Sequence, residues 1–297
     1  MLVFLPLFIR LPLALLLVSL NVLLHATVLF VMAALKALLP IAGIRQVLSR
    51  ALVAIAEQWI AVNGMLFALF TPTQWQIEGL DGLRSGGWYL VLSNHQSWVD
   101  IPVLQKTFNR RIPFLRFFLK KQLIWVPVLG LAWWALDFPF MQRHSKEILA
   151  LHPELRSQDK DATRKACERF RESPVSVMNF VEGTRFRPHK HEQQQSPYAH
   201  LLRPRAGGVA FVLEAMGEML QAIVDVTIVY SDGRPTMIDL LAGRVRQIRV
   251  QVRQLPIPPE FLRGDYENDA EFRARFQAWI SALWTEKDES ITRMQAG

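Results

Sequence analysis

The run Asn94-His95-Gln96-Ser97-Trp98-Val99-Asp100 sets an imidazole and a carboxylate five positions apart, directly after the apolar stretch WYLVLS. On a continuous helix such positions point about 140° apart, because each residue turns about 100°. Pro102 is best tolerated in a first helical turn, so the spacing predicts a helix that begins near 98–101. His95 is then left in the preceding turn, from which its ring can fold back onto Asp100. The helix N-terminus favours an ionised Asp100, and a carboxylate on one ring nitrogen leaves the other free to accept a proton. The chemistry would be general-base activation of a hydroxyl that the substrate supplies, two-thirds of a serine-protease triad. The same residues would also suit an N-cap histidine that only ties down a loop.

A second chemical block is Glu182-Gly183-Thr184-Arg185, at the end of the β-branched run VSVMNFV. Gly183 permits a turn that other residues resist, and a guanidinium held at a strand end can grip phosphate through two parallel hydrogen bonds. Glu182 would fix that guanidinium or touch a substrate hydroxyl. Arg187, Lys190, Arg203 and Arg205 add positive charge nearby. An ordinary strand–turn with a surface ion pair fits the same letters. Between Asp100 and Asp137 no acidic residue occurs, while Lys106, Arg110, Arg111, Arg116, Lys120 and Lys121 alternate with phenylalanines and tryptophans. That mixture suits a membrane interface, single-stranded nucleic acid, or a solvated basic face over an aromatic core. His189, His191 and His200 lack carboxylate or cysteine partners at ligand spacing and read as loop residues, so no metal is expected. Cys167 has no base placed beside it, and a lone cysteine excludes an intrachain disulfide.

The elements that must position these blocks follow from periodicity. Residues 11–35 are an apolar stretch free of Asp, Glu, Lys and Arg, long enough as a helix of about 37 Å to span a bilayer core of about 30 Å. A secretory signal competes, but it wants a charged start and a cleavage site. Residues 51–70 form a second apolar helix, interrupted by Glu57, Gln58 and Asn63. Lys36, Arg45 and Arg50 follow the first stretch where only Arg10 precedes it, which puts the far end in the cytoplasm. One crossing followed by an interfacial helix is expected. From Thr71 onward, strand-like runs at 75–80, 88–93, 175–181, 222–230 and 248–254 alternate with helical ones after Asp100 and at 162–172, 208–220 and 270–287. Alternation of this kind argues for an α/β layer domain. The expected division is a membrane motif over 1–72 and an α/β domain over 73–297. Thirty-four basic against twenty-six acidic residues give a net charge of +8, which suits anionic partners; with an apolar N-terminus the partner expected is lipid rather than nucleic acid.

Taken in order, NHQSWVD, FLKKQLIWVPVLG, VEGTRF and the late strand DVTIVY resemble the lysophosphatidic acid acyltransferase family, the 1-acylglycerol-3-phosphate O-acyltransferases, over about residues 75–255. WALDFPFMQRHSKEI and EGTRFRPHKH are most similar to a branch of bacterial inner-membrane acyltransferases. The resemblance implies an α/β acyltransferase domain, with a mixed central sheet flanked by helices, on an N-terminal membrane helical motif. It implies that Asn94, His95 and Asp100 form the catalytic block. Lys120, Lys121, Pro127 and Gly130 would border the acceptor and acyl sites. Glu182, Gly183, Thr184 and Arg185 would bind the acceptor's phosphate, with Arg205 standing where many members have a lysine before the glycine matched by Gly207. Many members begin the last strand with Pro-Val, where this chain has Asp225-Val226. The implied partners are a lysophospholipid acceptor, an acyl-coenzyme A or acyl carrier protein donor, and a bilayer, with the domain facing the cytoplasm and no cofactor. Alternatives are another acceptor, such as lysocardiolipin or lysophosphatidylglycerol, or a non-catalytic lipid-binding protein on the same scaffold.

Overall fold

Two long apolar helices open the chain, α1 over Leu7–Leu38 and α2 over Ala42–Phe70. The structure is a computed structural model that describes residues 2–39, 41–117, 119–126, 129–141, 170 and 173–296. The helix expected at 162–172, with Cys167, lies outside them apart from residue 170, and Pro127 lies outside as well. The connection between α1 and α2 is so short that they pack antiparallel as a hairpin. Inside it Asn21 Nδ2 donates to Asn63 Oδ1 at 2.9 Å, which satisfies two buried amides against each other. Both helices are long and apolar enough to cross a membrane, and only 11% and 22% of their most apolar stretches are buried. Helix α2 begins at Ala42 rather than near residue 51. Arg45, Gln46 and Arg50 are good helix formers, and the roughly 1 kcal/mol cost of Gly43 is outweighed by packing on α1.

The strands are β1 (Gln74–Glu78), β2 (Tyr89–Ser93), β3 (Leu115–Phe117), β4 (Leu119–Lys120), β5 (Phe140–Met141), β6 (Ser176–Phe180), β7 (Ala222–Tyr230) and β8 (Gln247–Leu255). Six of them form one mixed sheet in the order β1-β8-β7-β2-β6-β3, in which only β7 and β8 run antiparallel. The expected mixed sheet flanked by helices is therefore present. All five residues of β2 are buried, as befits a central parallel strand covered on both faces. Leu90 and Leu92 face a core shared with helix α6 (Gly207–Met216) and helix α8 (Ala270–Ala296). Tyr89 and Val91 face the other core, which holds Val99, Val103 and Leu104 in and beside helix α3 (Asp100–Phe108). In β8, Ile248, Val250 and Val252 are buried, so the alternation read from the sequence sets the face.

The basic–aromatic block and the residues just after it contain several short elements that the sequence pattern does not announce. These are β3, the two-residue pair β4 and β5, a 3-10 turn at Lys121–Trp125, and helix α4 (Leu129–Ala135). Each is too short to show a period. Leu29, Ala33, Leu52 and Ala56 of the hairpin pack on Ala135, Leu136 and Phe138 of this region. Lys36 at the end of α1 reaches both carboxylate oxygens of Asp137 at 2.8 Å.

Candidate active site

Strands β2 and β6 pair in parallel with Ser93 beside Phe180, so the loops that leave their C-terminal ends emerge together. That edge of an open α/β sheet is where ligands bind. The loop after β2 carries His95 and that after β6 carries Glu182, and helix α3 starts at Asp100 as the proline spacing predicts. His95 Nδ1 lies 2.8 Å from Asp100 Oδ2, and Asp100 is wholly buried. The same oxygen accepts the backbone N–H groups of Gln96 at 2.6 Å and Ser97 at 2.9 Å, while Oδ1 accepts the Tyr230 hydroxyl at 2.6 Å. A carboxyl group that meets this many donors acts as an acceptor only, so Nδ1 must donate to it. The proton-accepting lone pair then belongs to Nε2, which no described residue bonds. Burial and the adjacent Asp100 charge push the Tyr230 phenol well above its ordinary value, so it remains a donor. The imidazole stacks on Phe180 with ring centroids 3.8 Å apart and planes 13° apart, which fixes its tilt.

Among the described residues Glu182, although near enough to Arg234 for the two charges to interact, forms no ion pair with a guanidinium. Its Oε1 accepts the His95 N–H at 2.8 Å and its Oε2 the Leu202 N–H at 2.9 Å. It thus clamps the two loops together from inside. Burial dominates and pushes its carboxyl up to about 8, against the pull of the two N–H donors. Asn94, which the resemblance places in the catalytic block, exchanges two hydrogen bonds of 2.9 Å with the backbone of Ile228, so its amide works as one more rung between β2 and β7. Gly183 sits at φ +67°, and a Cβ there would come within 2.9 Å of Arg205 Cδ, so both conformation and space call for glycine. Thr184 Oγ1 accepts from Lys190, on the short helix α5 (Pro188–Gln193). Arg205 is exposed and lies over Gly183. Lys120 closes β4, and Lys121 opens the 3-10 turn; Lys121 is exposed and lines neither of the cavities described next.

Two cavities flank the His95 loop. One, of about 560 Å³, is apolar and runs between the hairpin and the sheet domain, with Leu29, Ile60, Trp98, Phe108, Phe138 and Phe180 in its wall. The other, of about 530 Å³, is lined by Gln96, Ser97 and Trp98 and by Arg185, Arg187 and Arg234. Trp98 belongs to both, and Phe180, under the imidazole, lines the apolar one. Arg185 lies on the Trp98 ring at 4.3 Å and Arg234 on the Phe186 ring at 3.7 Å. Among the described residues no group of three or more His, Cys, Asp and Glu side chains could hold a metal ion. Sequence reasoning did not single out Tyr230, Phe180 or Arg234. Phe180 and Tyr230 lie in runs that read only as strands, and Arg234 lies in a loop outside every quoted block, so their approach to His95 depends on the strand order.

His95 itself lines neither cavity, but its loop neighbour Trp98 lines both. A base with its orienting carboxylate, next to an apolar cavity and a cluster of guanidinium groups, can move an apolar group onto a hydroxyl of an anionic acceptor. Similarity to known proteins gives that class a name. The family model described as acyltransferase matches residues 74–231, more than half of the chain, and the chain belongs to that family. The human 1-acyl-sn-glycerol-3-phosphate acyltransferase delta is 26% identical over 213 residues, 67% of this chain and 51% of that protein. The gamma enzyme of Mus musculus is 25% identical over 180 residues, 57% of this chain and 43% of that protein. The chain thus spans about half the length of the curated relatives it matches. The crystal structure of the 1-acyl-sn-glycerophosphate acyltransferase PlsC from Thermotoga maritima shares the fold. It has a TM-score of 0.52 and 16% identity over 95% of this chain and 96% of that one.

Proposed function

We propose that this chain transfers a fatty acyl group from an acyl thioester, acyl-coenzyme A or acyl carrier protein, to the free hydroxyl of a lysophospholipid. The acceptor is 1-acyl-sn-glycerol 3-phosphate and the product phosphatidic acid. The observation that carries this reading is the His95–Asp100 pair, whose loop neighbour Trp98 lines both the apolar cavity and the arginine-lined one. The acyl chain occupies the first and the acceptor's phosphate the second. His95 Nε2 takes the proton of the acceptor hydroxyl as its oxygen attacks the thioester carbonyl, a step worth about 10²–10⁴-fold. The C–S bond breaks, the ester C–O bond remains, and the proton passes from His95 to the leaving thiolate. Asp100 holds the Nδ1–H tautomer throughout. Arg185 fixes the phosphate and thereby aims the hydroxyl.

The proposed setting is the cytoplasmic face of a bacterial inner membrane, with residues 1–72 as the membrane motif and 73–297 as the catalytic domain. Exposed apolar side chains along α1, together with Trp125 at 85% exposure, Leu129 and Leu131, support this. Arg10 Nη2 donates to Ala242 O at 2.9 Å and Lys36 binds Asp137, so both ends of α1 meet the sheet domain. That suits insertion of the hairpin from one side of the bilayer rather than the single crossing expected from the charge pattern. The test is an acceptor panel: purified protein, labelled acyl thioester, and lysophospholipids of different headgroup. Label in phosphatidic acid is expected, and absence of transfer to every acceptor would sink the proposal.

A further inference from the structure

The cavity beside His95 holds more positive charge than the Glu-Gly-Thr-Arg block supplies. Arg185 comes from that block, and Arg187 lies two residues on. Arg234 comes from the loop between β7 and the short helix α7 (Met237–Leu241), and no sequence block marks it. No carboxylate lines the cavity, and among the described residues no carboxylate forms an ion pair with any of the three. Two of the guanidinium groups lie over aromatic rings, Arg185 over Trp98 at 4.3 Å and Arg234 over Phe186 at 3.7 Å. A cation–π contact of this kind holds a guanidinium in place without using its N–H groups as hydrogen-bond donors to another acceptor. Phe186 is itself fixed to the catalytic loop, since its N–H donates to His95 O at 2.7 Å. Ser97 Oγ likewise donates to Pro235 O, next to Arg234. Arg234 is therefore tied to the base by short rigid connections on two sides.

A phosphodiester brings one negative charge and two terminal oxygens. A phosphomonoester brings close to two charges near neutral pH and three strong acceptor oxygens. Three guanidinium groups match the second and exceed the first. We infer that Arg234 is a specificity-determining residue, which completes with Arg185 and Arg187 a cradle for a phosphomonoester dianion and selects acceptors that carry one. This deepens the acceptor reading above and rests on it.

The test compares wild type, Arg234→Gln and Arg234→Lys in initial-rate assays with lysophosphatidic acid and with lysophosphatidylglycerol, a diester. For Arg234→Gln a KM for lysophosphatidic acid raised roughly tenfold or more is expected, the size of one lost hydrogen bond to a charged group, with kcat changed far less. The diester's KM should move less than about threefold, and Arg234→Lys should recover part of the loss. Equal effects on both acceptors, or none on either, would overturn the inference. So would a rise confined to the KM for acyl-coenzyme A and absent with an acyl-pantetheine donor, which would place that donor's phosphomonoester here. If wild type acylates neither lipid, the acceptor reading fails, and thermal-shift titration of the full chain with glycerol 3-phosphate decides the cradle separately. Stabilisation lost in Arg234→Gln supports it, and equal shifts contradict it.

Discussion

At the scale of single residues, the account rests on how few freedoms the imidazole retains. Asp100 is an acceptor held by two backbone N–H groups and a phenol, so an amide in its place would turn a donor toward donors. Asp100→Asn is expected to lower kcat by roughly 10²–10⁴-fold with little change in the acceptor KM, because the tautomer is lost and the phosphate grip is not. Steady-state kinetics on the purified variant check the split. Glu182 gives a prediction in pH. Its carboxyl ionises near 8 in the fold, against an ordinary 4.5 in the unfolded chain. Between those values the folded protein keeps a proton that the unfolded chain has released, so stability contributed by this group falls as pH rises. Thermal unfolding from pH 5 to 8 should show wild type losing ground relative to Glu182→Gln, whose amide does not titrate; parallel curves would contradict this. His95 and Asp100 were legible because they are close in sequence and Pro102 fixes the helix start between them. The inward turn of Glu182 was not, because its partners, His95 and Leu202, lie on two separate loops.

At the scale of elements, the strands were readable where burial imposed a period. Strands β2, β6, β7 and β8 fall within a residue or so of the expected runs, while β3 to β5 are too short to carry a pattern. What the sequence did not convey is the order of strands, and hence that Tyr230 from β7 lies against a loop that leaves β2. The unusual Asp225 finds its explanation here. It is buried, and it meets Lys287 of α8 at 2.7 Å and Arg253 of β8 at 2.8 Å. Lys287, fully buried, also donates to Val226 O at 2.7 Å. The closing helix is thus bolted to β7, the neighbour of the strand that leads into His95, by a buried ion pair. Removing one partner of such a pair leaves a stranded charge, so Lys287→Met should cost roughly 3 kcal/mol, the lower end of the usual range because Arg253 stays on Asp225. The double variant Lys287→Met with Asp225→Leu should recover part of that loss, as denaturation in detergent would show.

At the scale of the whole molecule, the hairpin and the sheet domain share the apolar cavity, so in the proposed reaction α1 and α2 help to set which acyl chain fits. Leu29 of α1 lines that cavity and is 6% exposed. Leu29→Trp should shorten the usable space and depress kcat/KM for long acyl thioesters by about tenfold or more relative to short ones, since a pocket filled by a ring cannot take the terminal methylenes. A donor series of increasing chain length measures this; an unchanged preference would mean that the chain lies elsewhere. The two apolar helices were legible from composition, whereas the cavity between hairpin and sheet arises only from packing across distant segments. In the proposed reaction one imidazole activates the acceptor. The most direct test is the rate of labelled acyl transfer to lysophosphatidic acid by wild type and by His95→Ala with matched unfolding temperatures. The account predicts transfer by wild type and a loss of roughly 10²-fold or more in the variant; equal rates from both would contradict it.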